Sequence, residues 1–272
     1  MAGPFVSLLS DFGSRDPSAA IMRGVVLGIA PDARLVDISH DVRKYAIRDG
    51  ALLLWCALPY LPVGSHVAVV DPGVGTARLP IGVATGRGDV LIGPDNGLLL
   101  AAASKLDGIV AVHELREPRY RLPAISTSFH GRDIFAPAAA HLATGVPLPD
   151  LGPAIDPSSL VASPIREPEV AGGELRSAIL YVDTFGNVKL AGLRADLEAA
   201  LGLLSPGDRL RLEIDGSRPL ETTWQATFGD VPAGETLLYE DSYRRICLAT
   251  REGDAAAKHG LVEDLEVRIR RA

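Results

Sequence analysis

A glycine-rich loop bounded by two charged residues has the residue types best suited to chemistry. Asp71 opens the stretch DPGVG at 71–75, directly after an apolar run, and Arg78 follows seven residues after Asp71. The proline and two glycines favour a tight loop whose backbone N–H groups can approach a ligand closely. The guanidinium of Arg78 could return to the carboxylate of Asp71. Taken alone, such a pair is more often a structural ion pair.

A histidine stands where a helix is predicted to start. His130 lies in FHGRD at 129–133, and the helix is predicted over Ile134–Thr144. A lone histidine at such a place is usually structural or exposed, and His130 with Asp133 makes too small a set of ligands to indicate a metal site. We therefore expect no metal. The other histidines have no supporting neighbours and are interpreted as structural: His40, His66, His113, His141 and His259.

Two carboxylates follow the first predicted strand, Phe5–Leu9. Asp11 comes two residues after this strand, and Asp16 five residues after Asp11. A carboxylate at the end of a strand can accept hydrogen bonds from both hydroxyls of a ribose. Asp16, followed by Pro17 and Ser18, fits an N-terminal cap of the next helix equally well. Asp11 lies too far from that helix, which favours a ligand role.

The second half of the chain carries a further motif at a strand end. Asp183, Phe185 and Asn187 lie in DTFGN at 183–187, after an apolar run. They offer a carboxylate for a cation, an aromatic face for a base and an amide for an adenine edge. Trp224 and Phe228 add aromatic surface, although such residues more often belong to a core.

Composition excludes several classes of protein. The 272 residues are 47% hydrophobic and 22% charged, which is typical of a folded chain, and the net charge of -7 argues against a nucleic-acid partner. No apolar run approaches the roughly 18 residues that a membrane span needs. The first residues lack the basic and apolar regions of a secretory signal. Cys56 and Cys247 are far apart in sequence, as expected of free thiols in a reducing compartment, so we predict a cytoplasmic protein.

The elements that must position these residues alternate in the first half of the chain. Strands are predicted at Phe5–Leu9, Leu35–Ile38, His66–Val70, Ile81–Thr85, Val90–Ile92 and Ile109–His113, and helices at Ala19–Ala30, Tyr45–Leu58, Leu98–Leu106 and Ile134–Thr144. This order predicts an α/β domain with a parallel or mixed sheet covered by helices on both faces. In such sheets ligands bind beyond the carboxyl ends of the strands.

A proline-rich stretch separates this half from a β-rich half. We interpret residues 148–169 as a linker between an N-terminal α/β domain at 1–160 and a C-terminal domain at 170–272. Short runs separated by turn residues favour a small β-barrel or a sandwich in the second domain. Its predicted strands are Leu175–Val182, Val188–Leu190, Arg209–Ile214, Leu237–Tyr239, Arg245–Ala249 and Leu265–Ile269.

Taken together, the motifs resemble those of the S-adenosylmethionine (SAM) hydroxide adenosyltransferase family, which is related to SAM-dependent fluorinases and chlorinases. The matching stretches are SDFG at 10–13, VVDPGVG at 69–75 with Arg78, IGPDNGLL at 92–99, FHGRDIFAPAAAHL at 129–142, VDTFGNV at 182–188 and GDVPAGE at 229–235. They come in the family's order and span nearly the whole chain. Any one of them would be weak evidence, whereas the combination is specific.

The resemblance implies a fold, an assembly and a set of site residues. It implies a seven-stranded N-terminal sheet, a C-terminal β-barrel and a homotrimer with active sites between subunits. The implied catalytic residues are Asp71, Arg78 and His130. The implied substrate-binding residues are Asp11 at the ribose, Asp16, Tyr45 at the sugar, Asp183 at the methionine amino group, Phe185, Asn187 and Phe228 at the base, Ser242 at the methionine carboxylate, and Glu252.

One region departs from the family pattern. Relatives read close to NSxGYLEIAVNxGNAA, whereas this chain has DSYRR at 241–245 and TREGD at 250–254. Ser242 is retained. Arginine replaces the glycine at 244, and the changed residues 250–252 are expected to alter the contacts to the adenine edge.

The activity that the resemblance implies is hydrolysis of SAM to adenosine and L-methionine, by in-line attack of water on C5′. Arg78 and His130 would stabilise a hydroxide-like nucleophile that Asp71 orients. No cofactor is expected, because the sulfonium of the substrate is already a good leaving group. The family suggests the (R) epimer at sulfur.

Two alternatives remain. Halide transfer would give a 5′-halo-5′-deoxyadenosine, but Asp71 would repel an anion. A SAM- or adenosine-binding protein without turnover would have no need of the three polar residues. An ordinary nucleotide-binding enzyme fits less well, because no GxGxxG or Walker pattern is present.

Overall fold

The computed structural model describes residues 4–215 and 218–272, and the chain divides into two compact units, Met1–Pro164 and Ile165–Ala272. We call them the N-terminal and C-terminal units. Residues 1–3, on which part of the expectation about a secretory signal rests, lie outside the described residues. Across the described ranges, no helix is long and apolar enough to cross a membrane.

The N-terminal unit is an α/β layer structure. Its strands are β1 (Phe5–Ser10), β2 (Arg34–Ser39), β3 (Ser65–Val69), β4 (Pro80–Thr85), β5 (Val90–Pro94) and β6 (Ile109–Glu114). Its helices are α1 (Ser18–Ile29), α2 (Ile47–Ala57), α3 (Leu100–Lys105) and α4 (Ala136–Ala143), with short 3₁₀ turns at Leu58–Tyr60, Pro118–Tyr120, Leu148–Leu151 and Pro157–Ser159. The strand order is β2-β1-β3-β5-β4-β6. β4 is antiparallel to both neighbours and the other pairs are parallel, which confirms a mixed sheet.

Side chains along β1 point alternately to the two faces of this sheet, and helices cover both faces. Val6 and Leu8 join a buried cluster with Met22 of α1 and Phe135. Leu9 points the other way, because a Cβ on Gly50 of α2 would lie 3.6 Å from its side chain. Every residue of β1 is buried, as expected of a central parallel strand.

The sheet has six strands in the described part of the chain, where the family resemblance implied seven. In place of a seventh, Ala154 forms one isolated antiparallel bridge to His113 of β6. Pro153 has no N–H, so the chain here offers a shorter run of donors than a ladder needs. The short turn before it is part of the N-terminal core, since Leu148 and Leu151 are buried there.

The register of the sheet brings the candidate loops together. β1 and β3 are adjacent and parallel, and their last paired residues are Ser10 and Val69. The loops that begin after them, with Asp11 and Asp71, therefore leave from the same edge of the sheet. This edge holds the carboxyl ends of both strands, where ligands bind in such folds.

The C-terminal unit is a closed barrel of seven strands. Its elements are β7 (Glu169–Ala171), β8 (Glu174–Val182), β9 (Val188–Leu193), α5 (Arg194–Leu201), β10 (Arg209–Ile214), β11 (Leu220–Trp224), a 3₁₀ turn (Phe228–Asp230), β12 (Thr236–Glu240), β13 (Arg245–Thr250), α6 (Ala255–His259) and β14 (Glu266–Arg271). The order is β14-β10-β11-β12-β13-β9-β8, and pairing of β14 with β8 closes the ring, while β7 adds to β8 outside it. A barrel is thus confirmed over the sandwich. Closure leaves no exposed edge among these seven strands.

The barrel interior is filled by side chains at every second position. β10 shows the pattern, with Leu210, Leu212 and Ile214 buried and the residues between them more exposed. Trp224 is 2% exposed and belongs to the same core. Trp224 therefore has a packing role, as is more common for such aromatic residues.

Candidate active site

The loops at the carboxyl ends of β1 and β3 enclose a cavity of about 310 Å³ in the N-terminal unit. Five residues singled out in the sequence line it: Asp11, Asp16, Tyr45, Asp71 and His130. Residues from loops far apart in sequence thus meet at one place. Arg78 completes the group through its bonds to Asp71 and His130.

Arg78 joins the carboxylate and the imidazole into one hydrogen-bonded unit. Its Nε lies 3.1 Å from Asp71 Oδ1 and its Nη2 donates to Asp71 Oδ2. The same Nη2 lies 3.0 Å from Nδ1 of His130. The side chains of Arg78 and Asp71 are only 7% and 5% exposed. The fork geometry of the guanidinium therefore fixes both partners.

The hydrogen bond from Arg78 determines the tautomer of His130. A guanidinium only donates, so Nδ1 must accept, and the proton of the neutral ring lies on Nε2. Burial lowers the pKa of His130 and the charge of Arg78 lowers it further, against the opposing effects of Asp71 and Asp133. At neutral pH the residue is therefore a neutral imidazole on the cavity wall that donates from Nε2.

One N–H group of Arg78 makes no hydrogen bond to the described residues. Its Nη1 is buried and meets no acceptor among the described residues. A buried donor of this kind costs stability unless a ligand or water binds it. The guanidinium thus has the capacity to stabilise a developing negative charge.

The loop before α4 positions His130 by close packing. A Cβ at Gly131 would lie 2.9 Å from Sδ of Met22 and 3.4 Å from the ring of Phe12, so a larger residue here would force the Met22 side chain to move. The rings of Phe12 and Phe129 pack edge to face with centroids 5.6 Å apart. A short π-helix over Gly131–Phe135 then leads into α4.

Asp133 stabilises this loop. Its Oδ2 accepts hydrogen bonds from the backbone N–H and the hydroxyl of Ser126, both at 2.8 Å. Its Oδ1 accepts from Nε of Arg132 at 2.6 Å. Both oxygens have protein donors, so the carboxylate has a structural role. In the described part of the chain, no three His, Cys, Asp or Glu side chains form a group that could hold a metal.

Asp11 and Asp16 line the cavity, and neither caps helix α1. The N-cap of α1 is Pro17, and no side chain caps it by a hydrogen bond, so the capping interpretation of Asp16 is not supported. Oδ2 of Asp11 accepts the backbone N–H of Tyr45 at 2.9 Å. This bond holds Tyr45 in a left-handed conformation, with φ of 66° and a side chain that is largely exposed.

A second cavity, of about 560 Å³, lies in the C-terminal unit. Its wall includes all six residues that the sequence assigned to substrate binding in this half: Asp183, Phe185, Asn187, Phe228, Ser242 and Glu252. The rings of Phe228 and Tyr239 pack with centroids 4.8 Å apart. A flat aromatic group could stack here.

A tight turn holds Asp183 in place. Its Oδ1 accepts the backbone N–H groups of Phe185 at 2.9 Å and Asn187 at 3.0 Å, and its Oδ2 accepts Nδ2 of Asn187 at 3.0 Å. Gly186, between them, has a φ of 78° and lies against Asp254, where a Cβ would come within 2.0 Å of a carboxylate oxygen. Only glycine is compatible with this turn.

Comparison with known proteins covers nearly the whole chain. Residues 6–152 match the SAM hydroxide adenosyltransferase N-terminal domain, and residues 177–268 match the SAM hydroxide adenosyltransferase C-terminal domain. The chain belongs to the SAM hydroxide adenosyltransferase family.

Individual proteins are similar to this chain over nearly their full lengths. The (R)-S-adenosyl-L-methionine hydrolase of Salinispora tropica is 43% identical over 98% of this chain and 97% of its own. A fluorinase of Nocardia brasiliensis is 28% identical over 98% of this chain and 97% of its own. The crystal structure of an uncharacterized conserved protein from Thermotoga maritima superposes with a TM-score of 0.90 at 30% identity, covering 98% of this chain and 100% of that one.

The segment that departs from the family pattern keeps an unusual backbone. Arg244, where the family resemblance led us to expect glycine, has a φ of 70°, and Glu252 has a φ of 51°. These are left-handed conformations that glycine adopts most easily. The turn is thus formed without the glycine, at a cost in strain.

Sequence reasoning missed several residues on the walls of the two cavities. Phe12, Ser18 and Lys44 line the N-terminal cavity, and Lys189, Tyr239, Asp241 and Tyr243 line the C-terminal one. Lys189, Cys247 and Tyr239 are lateral neighbours on β9, β13 and β12. The sequence gives no signal for this row, because it depends on the register of three strands.

Proposed function

We propose that this chain hydrolyses (R)-S-adenosyl-L-methionine to adenosine and L-methionine. The observation that carries the proposal is the hydrogen-bonded unit of Asp71, Arg78 and His130 beside the cavity that Asp11 lines. It combines a carboxylate, a fixed cation and a neutral N–H donor around one space. The relatives named (R)-S-adenosyl-L-methionine hydrolase support the same reaction and the same epimer.

The reaction needs a positioned nucleophile more than an activated leaving group. Water attacks C5′ in line with sulfur, a C–O bond forms, and the C5′–S bond breaks with its electron pair going to sulfur. Methionine then leaves as a neutral thioether, so leaving-group chemistry requires neither an acid nor a metal. We expect activity to survive exhaustive chelation with EDTA. Loss of activity that a divalent ion restores would contradict this part of the proposal.

The roles of the three residues follow from their hydrogen bonds. Nε2–H of His130 donates to the oxygen of the nucleophile as negative charge develops on it, and the guanidinium of Arg78, held between Asp71 and His130, places a positive charge next to both. Neutral His130 carries its proton on Nε2, so it has no free lone pair with which to accept another. Asp71 is the remaining acceptor, since each carboxylate oxygen can take a second hydrogen bond beside the one from Arg78. The proton of the water therefore passes to Asp71.

Halide transfer is the weaker alternative for this site. A halide would have to approach the carboxylate of Asp71, and a buried carboxylate repels an anion strongly. The fluorinase relatives are also less similar to this chain than the hydrolase relatives are.

We propose further that the active form is a cytoplasmic homotrimer with active sites between subunits. The two cavities support this by their complementary chemistry. One offers the nucleophile and a ribose carboxylate, and the other offers Asp183 for an ammonium and aromatic rings for a base. One SAM molecule needs both sets of contacts.

A direct assay tests the proposed function. The purified protein is incubated with each sulfonium epimer of SAM, with and without chloride or fluoride, and the products are separated by chromatography. We expect adenosine and L-methionine in equal amounts, with faster turnover of the (R) epimer. A 5′-halo-5′-deoxyadenosine would favour halide transfer, and unchanged SAM would contradict enzymatic hydrolysis.

A further inference from the structure

Lys189 is a buried cation on the wall of the C-terminal cavity, and the proposed reaction leaves it without a role. It lies on β9, and the residue is 8% exposed. Its Nζ lies 2.8 Å from Oδ2 of Asp241 and 3.8 Å from Oδ2 of Asp183. The ring of Tyr243 is 5.5 Å away on the cavity wall. A buried ammonium at this place needs an explanation, because desolvation of a charge is costly.

The side chain is charged at neutral pH. Burial alone would lower the pKa of Lys189, but its hydrogen bond to Asp241 and the nearby carboxylates raise the pKa above its ordinary value. Asp241 is itself fixed, because its Oδ1 accepts the backbone N–H groups of Tyr243 at 2.8 Å and Arg245 at 2.9 Å. Asp241 therefore anchors the ammonium in one position.

The ammonium is anchored by Asp241 but not saturated. It has three N–H donors, and one of them donates to Asp241. The separation of 3.8 Å from Asp183 is too long for a hydrogen bond. Lys189 and Asp183 thus stand side by side on the cavity wall with opposite charges, and the cation has donors left for a ligand.

We propose that Lys189 is a specificity-determining residue that binds the carboxylate of the methionine portion of SAM, beside Asp183, which binds the ammonium. This inference rests on the proposed function. An α-amino acid carries its ammonium and its carboxylate on the same carbon, so it needs two adjacent partners of opposite sign. Asp183 and Lys189 are such a pair, and Ser242 adds a hydroxyl on the same wall.

The test compares ligands with and without the carboxylate. Replacing Lys189 alone would leave Asp241 buried without its counter-ion. The main variant therefore combines Lys189→Met with Asp241→Asn. The asparagine amide keeps an oxygen that can accept the backbone N–H groups of Tyr243 and Arg245. Lys189→Arg retains the charge. Lys258→Met, which removes an exposed lysine of the same unit, is the matched control.

Steady-state kinetics are measured with SAM and with decarboxylated SAM, which has an amine in place of the amino acid. We expect the double variant to raise KM for SAM on the order of 10- to 100-fold, the usual effect of losing a charge-assisted hydrogen bond. Its KM for decarboxylated SAM and its kcat should change little, and Lys189→Arg should keep part of the preference. An equal change in KM for both substrates would mean a purely structural ion pair and would overturn the inference.

Binding measurements separate this inference from the proposed function. Calorimetry of L-methionine and L-methioninol with wild type and the double variant requires no turnover. Loss of the preference for L-methionine in the variant supports the role of Lys189, even if the wild type fails to hydrolyse SAM. An unchanged preference, or a wild type that binds neither ligand, overturns it.

Discussion

The hydrogen bond from Arg78 to His130 determines which atoms around the nucleophile can donate and which can accept. Nδ1 of His130 is occupied by Nη2 of Arg78 at 3.0 Å, so the ring presents a donor to the cavity. Asp71 holds Arg78 from the other side through two contacts. Under the proposed mechanism, removing any one of the three should therefore disturb the nucleophile more than the binding of the adenosyl group.

This arrangement predicts a separation of kcat from substrate affinity. Arg78→Ala and His130→Ala should each lower kcat on the order of 100- to 1000-fold, because the lost interaction is made mainly in the transition state. SAM affinity, measured by calorimetry, should change little. Asp11→Ala should instead weaken binding, since a ribose contact exists in ground and transition states alike. A folded His130→Ala variant with nearly wild-type turnover would refute the mechanism.

The environment of His130 also predicts a pH dependence. Burial and Arg78 lower the pKa of His130 below its ordinary 6.5, so the neutral form persists as pH falls through that value. We expect kcat to stay level near pH 6.5 and to fall only at lower pH. The unfolded chain binds this proton more readily, so the contribution of His130 to the free energy of unfolding declines as pH decreases below 6.5. NMR titration of the imidazole checks the assignment, with His130→Asn identifying the signal, and a midpoint at or above 6.5 would contradict it.

Some strands and helices could be predicted from local sequence patterns, whereas others depend on how the chain packs. The strands predicted at Ile81–Thr85 and Val90–Ile92 flank the turn residues GRGD at 86–89, and they pair as the antiparallel hairpin of β4 and β5. β11 was missed, because LETTW at 220–224 has no hydrophobic residue between Leu220 and Trp224. Helix α4 begins at Ala136, two residues later than predicted. Pro137 has no N–H for the carbonyl of Asp133, and this carbonyl instead accepts from Leu122 at 3.0 Å.

The turn between β12 and β13 contains a strained residue, Arg244, and we expect its replacement by glycine to stabilise the protein. Arg244 has a φ of 70°, and its side chain is largely exposed with one contact, to Glu240 at 3.4 Å. Arg244→Gly should raise the free energy of unfolding by about 1 kcal/mol, because a left-handed conformation costs about that much for a residue with a Cβ. Denaturant unfolding measures it. Arg244→Ala is the control, since it removes the same side chain and keeps the strain. An equal effect of both substitutions would assign the change to the side chain.

For the whole molecule, the candidate residues for one substrate are divided between the two units, and this division is the reason for proposing a site shared between chains. Asp11, Asp71 and His130 belong to the cavity of the N-terminal unit, and Asp183 belongs to that of the C-terminal unit. The motifs at these positions could be recognised in the sequence because Asp11, Asp71 and Asp183 come just after strands and His130 stands just before a helix. Lys189 could not, because its neighbours depend on the register of the closed barrel.

If sites form between subunits of a trimer, two inactive variants should restore activity when mixed. In such a ring, the N-terminal unit of one chain would face the C-terminal unit of the next, so each site would draw on two chains. Random reassembly of Asp11→Ala with Asp183→Ala subunits should leave about one quarter of the sites with both residues intact. Activity should recover to that fraction of wild type. Asp11→Ala mixed with Asp71→Ala is the matched control, because both residues lie in the N-terminal unit and no arrangement of those subunits combines them. Mass spectrometry verifies that mixed trimers have formed. If mixed trimers of Asp11→Ala and Asp183→Ala subunits stay inactive, each site must lie within one chain.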